Sequence, residues 1–254
     1  MSVHRLTIPS PKGGISAVVH YPETQTDKLA ILCPGYLDTK EYKHLIGLAQ
    51  ELCEAGFTVV RFDPTGTWES GGDVSEYTPT QYLEDIKNVL EAMLEEHPYK
   101  TILLSGHSLG GWTSMLYAAR DPRISIVLAM MSPHTPRLDD RLANEWKEAG
   151  FRISQRDVPG STEMRAFSVP YAHQVDRDRF DLLADVQKIH APIILVAGEL
   201  DTKVLPEAVQ EIYRNANEPK KFILLKNIDH DYRHNDKEVK IVNAAVMEQL
   251  DALM

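Results

Sequence analysis

The chain predicts an α/β fold, with a mainly parallel sheet of about eight strands and helices on both faces. Three observations carry that expectation. Short apolar runs alternate with amphipathic helix patterns along most of the chain. The run at 29–33 is apolar throughout and those at 57–62 and 124–131 are mostly so, the pattern of strands buried on both faces. Unusual loops follow Cys33, Phe62, Ser105, Met131, Ala197 and Leu225, at the carboxyl ends of runs, where such sheets hold their sites.

Taken in order, Val3 to Ile8 and Ile15 to Tyr21 read as a hairpin turned by Pro11-Lys12-Gly13-Gly14. Leu29 to Cys33 is the first buried strand. Glu41 to Ala55 reads as a helix with Leu45, Leu48, Ala49 and Leu52 on one face, stopped by Gly56. Phe57 to Phe62 returns to the sheet, and Thr80 to His97 is an amphipathic helix. Thr101 to Ser105 is a strand and Leu109 to Arg120 a helix. Ile124 to Met131 and Pro192 to Ala197 are further buried strands. Pro206 to Asn215 is helical, Lys221 to Leu225 a strand, and Asp236 to Leu253 the last helix.

Residues 133–189 break the alternation and are too long for an ordinary connection. Within them Asp139 to Ala149 reads as a short helix, and Phe151 to Val169 as a hairpin around Pro159-Gly160-Ser161. The expected division is a core of 1–132 and 190–254 with 133–189 inserted as a cap over the strand ends. A surface elaboration without a role is the alternative.

At 254 residues, 43% hydrophobic and 25% charged, the chain has the composition of a globular domain with a substantial core. A formal charge of −10 argues against nucleic acid and anionic membrane surfaces as partners. Cys33 and Cys53 sit in an apolar strand and a helical pattern, which suits buried thiols rather than a disulfide framework. No His/Cys cluster has zinc-ligand spacing, so neither a metal nor a cofactor is expected. With no leader pattern and no apolar run approaching a membrane span, a cytoplasmic setting is expected.

The chemistry centres on Gly106-His107-Ser108-Leu109-Gly110, a G-x-S-x-G pentapeptide between a strand and a helix. A serine on so sharp a turn presents its hydroxyl outward, and the following helix aims free N–H groups and its positive end beside it. A serine that only caps a helix is the alternative. A serine nucleophile needs a base, and the base needs an acid to orient it. Asp201 follows the strand before Gly198, with Glu199 as the fallback acid. His230 follows the last strand, with His234 as the rival base. The Tyr36 and Leu109 N–H groups are the expected oxyanion donors. His107 should point away from Ser108 by strand alternation, yet with Gly35 it stays a candidate substrate contact. Trp146, Phe167 and Tyr171 in the insertion have two uses open to them: an apolar pocket for an aromatic acyl group, or the insertion's own core. Asp63 to Gly72 lacks the lysine and spacing of a phosphate loop and reads as structural, packing beneath the site.

These residues resemble the α/β-hydrolase superfamily over nearly the whole chain. Gly106 to Gly111 is similar to its nucleophile elbow, Cys33-Pro34-Gly35-Tyr36 to its oxyanion turn, and Arg61 to Gly71 to its R-x-D-x-x-G-x-G-x-S stretch. Gly198-Glu199-Leu200-Asp201 and Asp229-His230 fall where the acid and base belong. Pro34 departs from the usual histidine, and Thr67-Trp68 from the usual Gly-x. The insertion is similar in length and placement to that of bacterial cinnamoyl and feruloyl esterases. The resemblance implies a cofactor-free serine ester hydrolase for small substrates, including hydroxycinnamoyl esters. An amidase, peptidase, thioesterase or acyltransferase with the same residues is the enzymatic alternative, and a non-catalytic small-ligand binding module the alternative of another class.

Overall fold

A computed structural model describes residues 1–135 and 140–253. Ten strands and eight α-helices run β1 Ser2–Ile8, β2 Ile15–Tyr21, β3 Lys28–Cys33, α1 Lys43–Glu54, β4 Thr58–Phe62, α2 Pro79–Glu96, β5 Thr101–His107, α3 Leu109–Ala118, β6 Ile126–Met130, α4 Asp140–Ala149, β7 Phe151–Asp157, β8 Met164–Pro170, α5 Ala172–Arg177, α6 Leu182–Val186, β9 Ile193–Gly198, α7 Pro206–Asn215, β10 Lys220–Leu225 and α8 Asp236–Asp251. Eight of the strands form one sheet in the order β1-β2-β4-β3-β5-β6-β9-β10. The β1–β2 and β2–β4 pairings are antiparallel, and every other pairing is parallel. This is the α/β-hydrolase fold.

Strands β4, β6 and β9 are buried along their whole length, β6 and β9 with apolar residues and glycine alone, β4 with Thr58 and Arg61 buried as well. Two cores result. On one face Trp112, Tyr82, Ile86 and Leu90 pack over Leu104; on the other Leu45, Leu48, Val246 and Leu250 pack over Leu103. Every residue of α3 is buried, so this helix lacks the polar face that an outer helix shows.

Element ends differ from the sequence expectation where tertiary contacts take over. β5 continues past Ser105 because Gly106 pairs with both Cys33 and Ala129, and His107 with Met130. β6 starts late because the Ile124 N–H donates to Asp121 in a turn, and stops at Met130 because Met131 takes φ 48°. α5 and α6 span 6 and 5 residues, too short for a helical period to show in sequence. The hairpin expected within 151–169 is present as β7–β8, a sheet of its own. Asp139, the expected first residue of the helix before it, lies outside the described residues.

The stretch from Asp63 to Gly72 ties the loops behind the site together. Asp63 is fully buried and accepts from the Thr39 hydroxyl (2.9 Å), the Lys40 amide (2.8 Å) and the Lys40 ammonium (2.6 Å). The Trp68 indole donates to the Leu37 carbonyl (2.8 Å), and the Tyr77 hydroxyl accepts from the Leu37 amide (3.0 Å). Leu37 needs that support, since it holds φ 56°. Thr67-Trp68, a departure in sequence, is therefore a fastening of the turn that carries Tyr36.

Candidate active site

Ser108 stands between β5 and α3 at φ 53°, ψ −120°. That backbone is strained for a residue with a Cβ, and it persists because the surroundings over-determine it. The Ser108 amide donates to Met130 (2.8 Å). A Cβ at Gly106 would run into the Gly110 backbone, and one at Gly110 into the carbonyls of Cys33 and Pro34. Close approach of strand, turn and helix at this point requires both glycines.

Ser108, His230 and Asp201 come from the ends of three different strands into one hydrogen-bonded line. The His230 Nε2 lies 3.0 Å from the Ser108 hydroxyl oxygen, and its Nδ1 2.7 Å from Asp201 Oδ2. Asp201 is 2% exposed, and its other oxygen accepts from the Lys203 and Val204 amides (2.8 and 2.7 Å). A carboxylate bonded to Nδ1–H leaves Nε2 as the free base facing the serine, the tautomer that proton removal from a hydroxyl requires. Neither the Tyr36 nor the Leu109 amide has an acceptor among the described residues, and Leu109 opens α3. Such an arrangement can deprotonate a hydroxyl and offer amide donors to a developing oxyanion.

The two rivals fall away on position. Glu199 is exposed and accepts from the Asn227 amide (3.1 Å), and His234 is exposed in a short 3-10 turn. Asp229 shapes the loop, accepting from the Asp231 amide (2.8 Å).

His107 corrects the expectation that it points away. It borders the same cavity as Ser108, and its ring lies 4.8 Å from that of His230. Burial lowers its pKa against the opposing pull of Asp38. Burial pushes the Asp38 carboxyl up, but His107, 3.9 Å away, and the charges of Arg156 and Arg233 outweigh it and hold that group well below the usual carboxylate range. Asp38, His44 and His107 place ligand-type atoms within 4.8 Å of one another. They come from three separate elements, so no sequence spacing announces them.

The aromatic candidates are also corrected. Trp146 is 3% exposed, donates its indole N–H to the Val169 carbonyl (2.9 Å) and stacks on His173 at 6.0 Å. Tyr171 packs edge-on to Trp146, and Phe167 packs against Trp68 beneath Arg165. None of the three borders the cavity, and neither does Gly35. Gly35 instead forms the turn, its carbonyl accepting from the Asp38 amide (3.1 Å). Trp146 and Tyr171 thus pack on each other within the insertion, and Phe167 packs on Trp68 of the core, burying large apolar area.

What borders the cavity of about 330 Å³ beside Tyr36, Ser108 and His230 is largely charged: Arg156, Arg177, Arg233 and Lys203, with Asp38 and Asp231. Sequence reading missed these cations. The signal was the run Arg152, Arg156, Arg165 and Arg177, since period-2 alternation along β7 puts Arg152, Ser154 and Arg156 on one face.

Buried imidazoles around the site give a pH dependence. His173 donates Nδ1–H to the Tyr77 carbonyl (2.6 Å) while its Nε2 is buried without a partner. Burial and the nearby Arg177 push its pKa down to about 3, and burial with Arg61 pushes His20 to about 4. An unfolded histidine takes a proton near pH 6.5, so the unfolded state binds more protons than the folded one below that pH. Stability is therefore full above about pH 6.5 and falls as the pH drops toward 4, by about 1 kcal/mol per pH unit for each such group. Calorimetry should show Tm falling from pH 7 to pH 5. The drop should be smaller in His173→Gln, even though that variant is less stable at pH 7. An equal drop in both proteins would show that His173 does not supply it.

Comparison with known proteins agrees with this architecture. The family described as "Serine aminopeptidase, S33" matches residues 24–178. Lysophospholipase L2 of Escherichia coli is 25% identical over 171 residues, 62% of this chain and 48% of its own. The chain thus spans about half the length of that relative. The mitochondrial palmitoyl-protein thioesterase ABHD10 of Rattus norvegicus is 23% identical over 230 residues, 88% of this chain and 75% of its own. Est1E from Butyrivibrio proteoclasticus, solved with ferulic acid bound, superposes with a TM-score of 0.78 at 21% identity, over 96% of this chain and 97% of that one. With more than half of its length matched by the family and its sheet in the same architecture, the chain belongs to the serine aminopeptidase S33 family of α/β hydrolases.

Proposed function

We propose that this hydrolase is a serine carboxylic-ester hydrolase in which Ser108 is the nucleophile, His230 the general base and acid, and Asp201 the group that orients His230. The observation that carries the reading is the hydrogen-bonded line from Ser108 through His230 to Asp201, at 3.0 and 2.7 Å, ending in a cavity. His230 takes the serine proton as Oγ attacks the acyl carbon. The Tyr36 and Leu109 amides hold the resulting oxyanion, each such donor being worth about 10²–10³ in kcat. The proton then passes to the leaving oxygen, and water repeats the sequence on the acyl-enzyme.

Residues 133–189 serve as a cap in this reading, because Arg156 and Arg177 reach the cavity from them. The buried, unpaired thiols of Cys33 and Cys53 support a reducing, cytoplasmic setting. Among the described residues no helix is long and apolar enough to cross a membrane. A thioester substrate is the second reading, favoured by the similarity to the palmitoyl-protein thioesterase over 88% of the chain. Hydroxycinnamoyl esters have less support, because among the described residues Tyr36 supplies the one tyrosine, phenylalanine or tryptophan ring that borders the cavity.

The test is labelling with a fluorophosphonate probe, with the modified peptide located by mass spectrometry. Rates on matched butyryl esters, thioesters and anilides are then compared. Label on Ser108 with ester turnover is the expected result. Faster thioester turnover would favour the second reading. No label and no turnover would overturn catalysis in favour of a binding module.

A further inference from the structure

Among the described residues, the cations around Ser108 are matched to carboxylates with one exception. Lys203 pairs with Asp231 at 2.5 Å, Arg233 with Asp157 at 2.8 Å, and Arg156 with Asp38 at 3.5 Å. The Asp201 carboxylate is occupied by His230 and two backbone amides. Arg177, on α5, borders the same cavity but pairs with no carboxylate among the described residues, and its Nε is buried without an acceptor. It lies within electrostatic reach of Tyr36, Tyr77 and His173, whose rings pack against one another at 5.1–5.9 Å. A half-buried guanidinium without a counter-ion carries an uncompensated desolvation cost, and its planar fork matches a carboxylate in two-point geometry. In a chain whose formal charge is −10, an excess cation beside the serine is a local arrangement and not a bulk property.

We propose that the substrate carries a carboxylate near its scissile ester, and that Arg177 binds this carboxylate and selects for it. The inference rests on the ester-hydrolase reading of Ser108, and it names the substrate class of that site. A single unmatched positive charge suits a monoanion. A carboxylate is a monoanion that presents two coplanar oxygens to the fork.

The test compares monomethyl glutarate with dimethyl glutarate, and O-butyrylglycolate with its methyl ester, so that charge varies on the acyl or the alcohol side. For the wild type, kcat/KM should favour the charged member of at least one pair. In Arg177→Met the charged-to-neutral ratio should fall about ten- to hundredfold, the range for losing a charge-assisted hydrogen bond. Arg177→Lys should recover part of it. Arg179→Met serves as the charge control, since Arg179 is exposed and paired with Asp176 at 2.9 Å; it should leave the ratio unmoved. Turnover with a ratio that Arg177→Met does not change would overturn the carboxylate assignment and leave the hydrolase reading standing. Should no ester be turned over, that reading fails on its own. Calorimetric binding of glutarate to the wild type and Arg177→Met then decides the anion site, where binding lost in the variant supports it and absent wild-type binding overturns it. Dimethyl phosphate, run as a competitor, should bind more weakly than glutarate; tighter binding would transfer the site to a phosphodiester and overturn the carboxylate.

Discussion

Ser108→Ala is expected to lower kcat on any accepted ester by about 10⁴-fold or more, with the fold unchanged. The loss is large because, in the proposed mechanism, the three side chains act as one unit. Without Oγ there is no acyl-enzyme, and His230 retains no hydroxyl to deprotonate. The Tyr36 and Leu109 amides and the shape of the cavity stay, so a residual rate above that in water should persist. The fold should tolerate the change, because the hydroxyl's partner among the described residues is His230 Nε2 and the strained backbone already carries a Cβ. The measurement is steady-state kinetics paired with a Tm. A fall of less than tenfold at unchanged Tm would remove Ser108 from the mechanism.

Lys40→Met should produce the largest loss of stability. Lys40 and Asp63 are both 0% exposed, and the ammonium bridges Asp63 and Glu69 at 2.6 Å each. Methionine matches the aliphatic stem but leaves the Asp63 carboxylate buried with its hydroxyl and amide donors alone. Removing one partner of a buried pair costs about 3–5 kcal/mol. For a domain of this size that amounts to a Tm decrease of roughly 10 °C. Glu69→Gln is the contrast. Its side chain is 60% exposed, and exposed pairs contribute below about 1 kcal/mol. Equal effects from the two variants would mean that burial does not set the strength of this pair.

Much of this was legible in sequence because the signals are local. A strand buried on both faces is mostly apolar, so β3, β4, β6 and β9 were visible as runs. The turn at Ser108 needs glycine at 106 and 110 whatever lies elsewhere, so Gly106 to Gly110 marked itself. Asp201 and His230 were found because they follow strands, and a parallel sheet brings its strand ends to one edge. The insertion was legible as a hairpin and a helix but not in its use. Trp146, Phe167 and Tyr171 are the residues a sequence reader notices, and they are spent on packing, Trp146 against Tyr171 and Phe167 against Trp68. Arg156 and Arg177 reach the cavity from different elements, at positions set by how β7 and α5 dock on the core.

Local hydrophobic pattern and turn chemistry thus determined the fold class, the order of elements and the serine with its two partners. Only the tertiary structure decided which charges face the cavity, that His107 lies against His230, and that among the described residues Arg177 is the cavity cation without a carboxylate. The physical reason is range. Backbone conformation and burial periodicity act over a few residues, whereas the electrostatics of a cavity sum over groups far apart in sequence and adjacent only after the chain has packed.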